Sequence, residues 1–273
     1  MTSPLRPSAA ECAPLPALDA AEALRRVAAI AEAPDMETAW AVFVAAARAM
    51  GFERINYGYT RYRTGAGIGD PADAMFLSTH ALEQVIAFHT TGLYLQSADY
   101  RWTRDNCGAC SWGWVHEERA AGRLSAQEIR TMDKLGRTRA GYTVSFPVGA
   151  PRSKGAMGLA APRDVPQEAV DAHWQHHSDA LLALTHIAHF KLSQLPLPVA
   201  AAQLTPRQRE CLQWIADGKT QADITQITGM AASTVERHLS RARDHLRVET
   251  TAQAIAKLAF LNQLWVTQLD EAP

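Results

Sequence analysis

Four helix-start signatures packed into fewer than fifty residues near the C-terminus constrain this chain most. They are Thr205–Gln208, Thr220–Asp223, Ser233–Glu236 and Thr250–Gln253. In each, a hydroxyl can accept from an unpaired backbone N–H while the residue three positions on reaches back to the cap. Pro206 stands at a first helical position, where a missing N–H costs nothing. Each signature is followed by apolar residues at helical spacing, so the segment predicts a compact all-α unit of four helices.

The third of these helices has two distinct faces. Val235, Leu239, Ala242 and Leu246 recur at spacings of four, three and four and make one buried stripe. Arg237, Ser240, Arg241 and Asp244 fall on the opposite side, flanked by Glu236 and Arg243. An outward arginine can pair bidentately with guanine in a major groove, although the same pattern also describes an ordinary solvated face. The surrounding order favours the groove. A short helix over 220–227 and the Gly229-Met230 turn precede it, as in a helix-turn-helix. Lys219 and Thr220 offer a cation and a helix N-terminus for a phosphate.

Charge and length fit such a unit joined to a second one. The chain has 273 residues, enough for about two domains, and a formal charge of −1. That charge is unevenly divided. Residues 204–265 hold eight Lys/Arg against six Asp/Glu, a net +2, whereas the preceding 203 residues net −1. A mildly basic unit predicts modest DNA affinity per protomer and two copies per site. The opening MTSPLRPSAAECAPLPALDA has proline where a secretion signal needs an unbroken apolar core, and no apolar run reaches membrane-span length. A cytoplasmic protein with no membrane contact is expected. Residues 1–17 read as a flexible tail, 18–195 as a sensor domain, 196–203 as a proline-bearing linker and 204–266 as the helix-turn-helix domain.

The 18–195 region alternates helices and strands. Two alanine-rich helices are expected over 20–33 and 35–50, and strands over 52–63 and 74–78. A helix follows over 80–91, an irregular stretch over 93–116 and a helix over 125–140. A strand pair over 142–148 and 155–160 precedes a long helix over 166–195. Strands grouped between helices predict an antiparallel sheet covered on both faces. The fold class is therefore α+β, an N-terminal α-β-α sandwich with a C-terminal all-α four-helix unit.

The run LTPRQRECLQWIADGKTQADI, followed by TVERHLSRARDHLRVETTAQAI, resembles the DNA-binding domain of LuxR-family transcription regulators. The resemblance covers residues 204 to about 264. It implies recognition-helix contacts from Arg237, Ser240 and Arg241, with Lys219, Thr220, Thr234 and His238 nearer the backbone, and Val235 and Glu236 are counted among the DNA-binding residues. It also implies a homodimer on a two-fold, double-stranded operator. Gln208 and Ala222 replace a commoner glutamate and lysine.

More distantly, GFERINYGYTRY, RAGYTVSFPV and GAMGLAAP follow the order of the autoinducer-binding domain of LuxR-type quorum-sensing receptors. The implied ligand is an acyl-homoserine lactone or a similar small amphiphile, and no other cofactor is expected. Asp99 would accept from a ligand amide and Trp112 would wall the head group. Tyr57 and Tyr59 would line the chain, with Ser145 as a hydroxyl partner. The segment HALEQVIAFHTTG lacks the Trp and Tyr usual there, which leaves His80, Gln84 or Trp102 to hold a lactone carbonyl, or a different ligand. Tyr100 stands where proline is usual.

Other constellations point elsewhere. Cys107-Gly-Ala-Cys110 could be a redox pair or half a metal site, and His173 and His177 lie one helical turn apart. Four cysteines are too few and too scattered for a disulfide framework. No nucleophile elbow, phosphate loop or catalytic carboxylate pair is present, so neither an enzyme nor a bound metal is expected. The reading is a ligand-responsive LuxR-type regulator. Its alternatives are a solo regulator for a non-lactone ligand, or a redox or metal sensor using Cys107 and Cys110. A response regulator would need an alternating βα pattern that the first half lacks.

Overall fold

The computed structural model describes residues 13–63, 67–68, 73–80, 88, 91–134, 140–147, 152–196 and 204–265. Two compact units divide the chain, Met1–Ser193 and Gln194–Pro273. The expected tail 1–17, linker 196–203 and helix 80–91 lie mostly outside the described residues. Leu15, within the expected tail, sits where a Cβ on Gly51 would meet it at 2.9 Å.

In the first unit, α1 (Ala20–Glu32) and α2 (Met36–Ala49) begin where aspartates can cap them. Asp19 accepts from Glu22 N–H and Asp35 from Thr38 N–H, both at 2.7 Å. Strands follow as β1 (Arg54–Thr60) and β2 (Met75–Ser78), and later β3 (Gly108–Ser111), β4 (Gly141–Ser145) and β5 (Lys154–Ala160). They form one antiparallel sheet in the order β2-β1-β5-β4-β3.

The register sorts the sheet into two unlike faces, because directly opposed residues share a side and neighbours along a strand do not. One face carries Leu77, Tyr57, Met157, Val144 and Ala109 in a row, with Ile55, Leu159 and Tyr142 beside them. The long helix α6 (Gln167–Gln194) covers this face together with α1 and α2. Tyr142 stacks on Trp174 at 4.1 Å and Phe146 on His189 at 4.0 Å. His173 Nε2 meets the Met50 carbonyl at 3.0 Å, tying the end of α2 to α6.

The other face is small and polar. One row reads Ser78, Asn56, Gly158, Thr143 and Cys110; the next reads Phe76, Gly58, Ala156, Ser145 and Gly108. A second helical layer lies on this side. It comprises a 3-10 turn (Leu93–Gln96), α3 (Ala98–Asp105), α4 (Gly113–Ala120) and α5 (Ala126–Lys134). Ser145 Oγ contacts the carbonyls of Thr103 and Asn106 at 3.1 and 2.7 Å, pinning the end of α3 to the sheet. Arg101 links α3 to α5 through Glu128 at 2.7 Å. The expected irregular stretch 93–116 is thus a chain of short elements. None is longer than eight residues, so no apolar period has room to repeat.

The second unit holds α7 (Pro206–Ala216), α8 (Gln221–Thr228), α9 (Ala232–Leu246) and α10 (Thr251–Phe260). The boxes at Thr205, Thr220 and Thr250 form in both directions. The fourth does not. Gly229, left-handed at φ 70°, turns the chain early, so α9 is capped at Ala231 and Ser233 lies inside its first turn. Glu236 reaches Arg243 and Gln221 instead. Leu212, Ile224, Val235, Leu239, Leu246 and Leu258 close the core. Among the described residues no helix is long and apolar enough to cross a membrane.

Candidate functional site

The small-residue face of the sheet retains exposure at its centre. Asn56 is exposed, and Gly58, Phe76, Ala156 and Gly158 are half-buried. Trp112, immediately after β3, lies against this face. Its Nε1 donates to Thr143 Oγ1 at 2.8 Å. Glycines make room for its ring: a Cβ on Gly141 would meet Trp112 Cε3 at 2.8 Å, and one on Gly158 would meet Cζ2 at 3.7 Å. At the far side of the face stands an aromatic group the sequence reading missed. Tyr94 is buried between Phe76, Phe88 and Tyr100, with ring centroids at 6.1, 6.0 and 5.5 Å. Burial pushes the Tyr94 phenol up to about 12.

Tyr57 and Tyr59, expected to line the same chamber as Trp112, occupy the opposite face. Tyr57 is 1% exposed, and its hydroxyl meets His189 Nδ1 at 2.9 Å. Burial raises its pKa well above the ordinary phenol value. Tyr59 Oη accepts from Arg61 Nε at 2.9 Å and packs its ring edge on His189. The reason is strand parity: Asn56 and Gly58, one position away, are the residues that face Trp112. Ser145 lies on the Trp112 side, with its hydroxyl engaged by the end of α3. Asp99 is the second residue of α3 and half-buried, three positions from half-buried Trp102. His80 is half-buried, and Gln84 lies outside the described residues.

In the second unit, Arg237 and Arg241 are exposed on α9, one turn apart, and among the described residues neither is held by an ion pair. Arg243 is committed, to Glu236 at 2.9 Å and to Thr251 Oγ1 at 3.0 Å. The bond from Arg243 holds the Glu236 carboxyl below its usual range, helped by Gln221. Lys219 and Thr220 are exposed at the start of α8, while Thr234, His238 and Ser240 are half-buried on α9. Val235 is 0% exposed and packs in the core, so its place among the expected DNA contacts is corrected. Its spacing with Leu239 had already put it on the inner stripe.

Cys107 and Cys110 are both free thiols, the first exposed and the second half-buried. Cys107 lies 3.5 Å from the Phe146 carbonyl and 3.6 Å from Lys154 Nζ, while Cys110 opposes Thr143. Burial and the Glu117 charge push the Cys110 thiol up to about 11, away from thiolate chemistry. Among the described residues no three His, Cys, Asp or Glu side chains gather as a metal site. His173 is a core residue whose pKa burial lowers.

An α-β-α sandwich with one sheet face of small residues, joined in sequence to a helix-turn-helix unit, defines a two-unit protein. Two family models match it: "Autoinducer binding domain" over residues 35–192 and "Bacterial regulatory proteins, luxR family" over residues 202–258. The chain belongs to the LuxR family of bacterial regulatory proteins, in the branch that carries an autoinducer-binding domain. It is 34% identical over 85 residues to the transcriptional activator protein AnoR of Acinetobacter nosocomialis, covering 30% of this chain and 36% of AnoR. It is 41% identical over 54 residues to the transcriptional activator protein LuxR of Aliivibrio fischeri, covering 20% and 22%. The chain thus spans about a third or less of these relatives. Among solved structures, Escherichia coli SdiA aligns with a TM-score of 0.47 at 14% identity, over 90% of this chain and 99% of that one. CepR2 of Burkholderia cenocepacia, an N-acylhomoserine lactone dependent LuxR family transcription factor, aligns at 0.47 and 20% identity, over 63% of this chain and 96% of that one.

Proposed function

We propose that this protein is a ligand-responsive transcription regulator of the quorum-sensing type, acting in the cytoplasm as a homodimer on a two-fold DNA operator. A small amphiphile, of the acyl-homoserine lactone class or close to it, occupies the space between the small-residue sheet face and the α3–α5 layer. Binding stabilises the first unit by RT ln(1 + [L]/Kd) and so shifts the population competent to pair and bind DNA. The observation that carries the reading is α9: two exposed arginines one turn apart, without an ion pair among the described residues, on the helix that follows a left-handed glycine turn. With a net charge of only +2 over residues 204–265, one copy has few phosphate contacts, which is why two are invoked.

The test uses a duplex selected from a randomised pool. Arg241→Ala should weaken binding to that duplex by roughly 1–3 kcal/mol and weaken binding to random duplex much less. Equal losses on both would reduce Arg241 to a phosphate contact and remove the base-reading role. A second reading, a solo receptor for a non-lactone ligand, is favoured by one feature: HALEQVIAFHTTG lacks the Trp and Tyr that the resemblance would supply. Mass spectrometry of organic extract from the purified protein separates the two.

A further inference from the structure

The middle row of the small-residue face contains one residue that strand chemistry does not explain. Asparagine is depleted in strands, yet Asn56 stands in the centre of β1 with its side chain exposed. Breaks in a local rule of this kind concentrate at functional positions. The side chain is also steered. His80 N–H donates to Ser78 Oγ at 3.0 Å, and Ser78 Oγ donates to Asn56 Oδ1. That fixes the amide with its oxygen occupied and leaves Nδ2 as an open donor.

The surroundings form a slot. Gly158 is the direct partner of Asn56 on one side and of Thr143 on the other. A Cβ at Gly158 would meet Asn56 Cβ at 4.0 Å and Trp112 Cζ2 at 3.7 Å, so the carboxamide and the indole flank the glycine. The indole N–H is already committed to Thr143. A molecule lying on Gly158 therefore meets an aromatic wall on one side and an N–H donor on the other.

We infer that Asn56, held by Ser78, donates a hydrogen bond to an oxygen acceptor on the ligand where it crosses Gly158, and so selects acyl chains bearing a carbonyl or hydroxyl over unsubstituted ones. This rests on the proposal that the small-residue face holds the ligand. Asn56 is exposed until a ligand covers it; an unsubstituted chain that covers the donor without pairing it forfeits the donor's bond to water, which is how such a group discriminates.

The experiment incubates the full chain with an equimolar mixture of N-decanoyl-homoserine lactone and its β-oxo and β-hydroxy counterparts, then identifies the retained molecules by mass spectrometry. The wild type should enrich an oxygen-bearing lactone over the plain one by about tenfold or more, a gap of about 1.4 kcal/mol. Asn56→Leu should abolish the enrichment. Asn56→Asp, which keeps the shape and removes the donor, should do the same, so a folding defect in the leucine variant does not decide the outcome. Ser78→Ala should diminish it. Undiminished enrichment in both Asn56 variants overturns the inference and leaves the proposed function standing. Retention of none of the three by the wild type overturns the lactone assignment, and the inference with it.

Discussion

Two glycines beside Trp112 should respond in opposite ways to the same added methyl. At Gly141 a Cβ would lie 2.2 Å from the Leu159 carbonyl oxygen and 2.8 Å from two ring atoms of Trp112. The oxygen belongs to the neighbouring strand, so relief requires β4 and β5 to separate locally by about 1 Å, or Trp112 to leave the sheet. Overpacking of this kind costs about 1–3 kcal/mol, and a backbone obstacle puts Gly141→Ala at the upper end, about 3 kcal/mol. For a unit of this size each kcal/mol moves the midpoint by about 2–4 °C, giving a fall of about 6–12 °C. At Gly158 the nearest atoms would be 3.7 and 4.0 Å away, ordinary contact. Gly158→Ala should therefore leave the midpoint unchanged, or raise it slightly by reducing unfolded-chain freedom. It should still impair ligand retention, because its methyl fills the slot floor. Differential scanning calorimetry of the full chain reads both, with the helical unit as internal reference. Equal midpoints for Gly141→Ala and the wild type would refute the placement of Trp112 over β4. A large fall for Gly158→Ala would refute the open slot.

Two further outcomes are expected. Val235→Ala removes two methyl groups from a fully buried site and should destabilise the second unit by roughly 2–3 kcal/mol, with the loss of DNA binding following the fraction unfolded. Weaker operator binding by a fully folded Val235→Ala protein would restore the direct contact that the structure removes. The second concerns pH. Burial and the neighbouring His186 hold the His189 imidazole down to about 4, whereas an unfolded histidine titrates near 6.5. Between those values the unfolded chain takes up a proton that the folded chain does not. Stability is therefore complete above about pH 6.5 and falls as pH drops toward 4, by about 3 kcal/mol from this group. Urea midpoints at both ends of the window, compared between the wild type and His189→Phe, isolate the contribution; an identical pH slope in the two proteins would contradict it.

The second unit was more legible in the sequence than the first, and the reason is local. Three capping boxes, a proline at a first helical position and a left-handed glycine act over a few residues, so the chain states its helix ends directly. The one failure, at Ser233, arose because the turn at Gly229, four residues upstream, supplied the start first, at Ala231. In the first unit the long helices and the β4–β5 pair were legible from period and length. The 93–116 stretch was not, since α3, β3 and α4 owe their existence to contacts such as Ser145 with the end of α3 and Arg101 with Glu128.

The placement of the chamber residues turns on a finer point. The family resemblance, read by motif order, carried Tyr57 and Tyr59 to the ligand side of the sheet. A strand leaves no such latitude: its period of two sends Ile55, Tyr57 and Tyr59 to one side and Asn56 and Gly58 to the other. Once Phe52 and Met50 are buried against α6, the large set must join them, because exposing it would forfeit roughly 1.5–3 kcal/mol per side chain. The face proposed for the ligand is then what the core declines: mostly glycine, alanine, asparagine, serine and threonine, with Phe76 and Cys110 at its edges. Small residues leave the volume, and the polar ones among them set what can fill it. Parity of the same kind governs β5, where Met157 and Leu159 go to the core and Ala156 and Gly158 to the chamber. The alternation that builds the hydrophobic core thus also builds the proposed site, and Asn56 is where it leaves a hydrogen-bond donor facing outward.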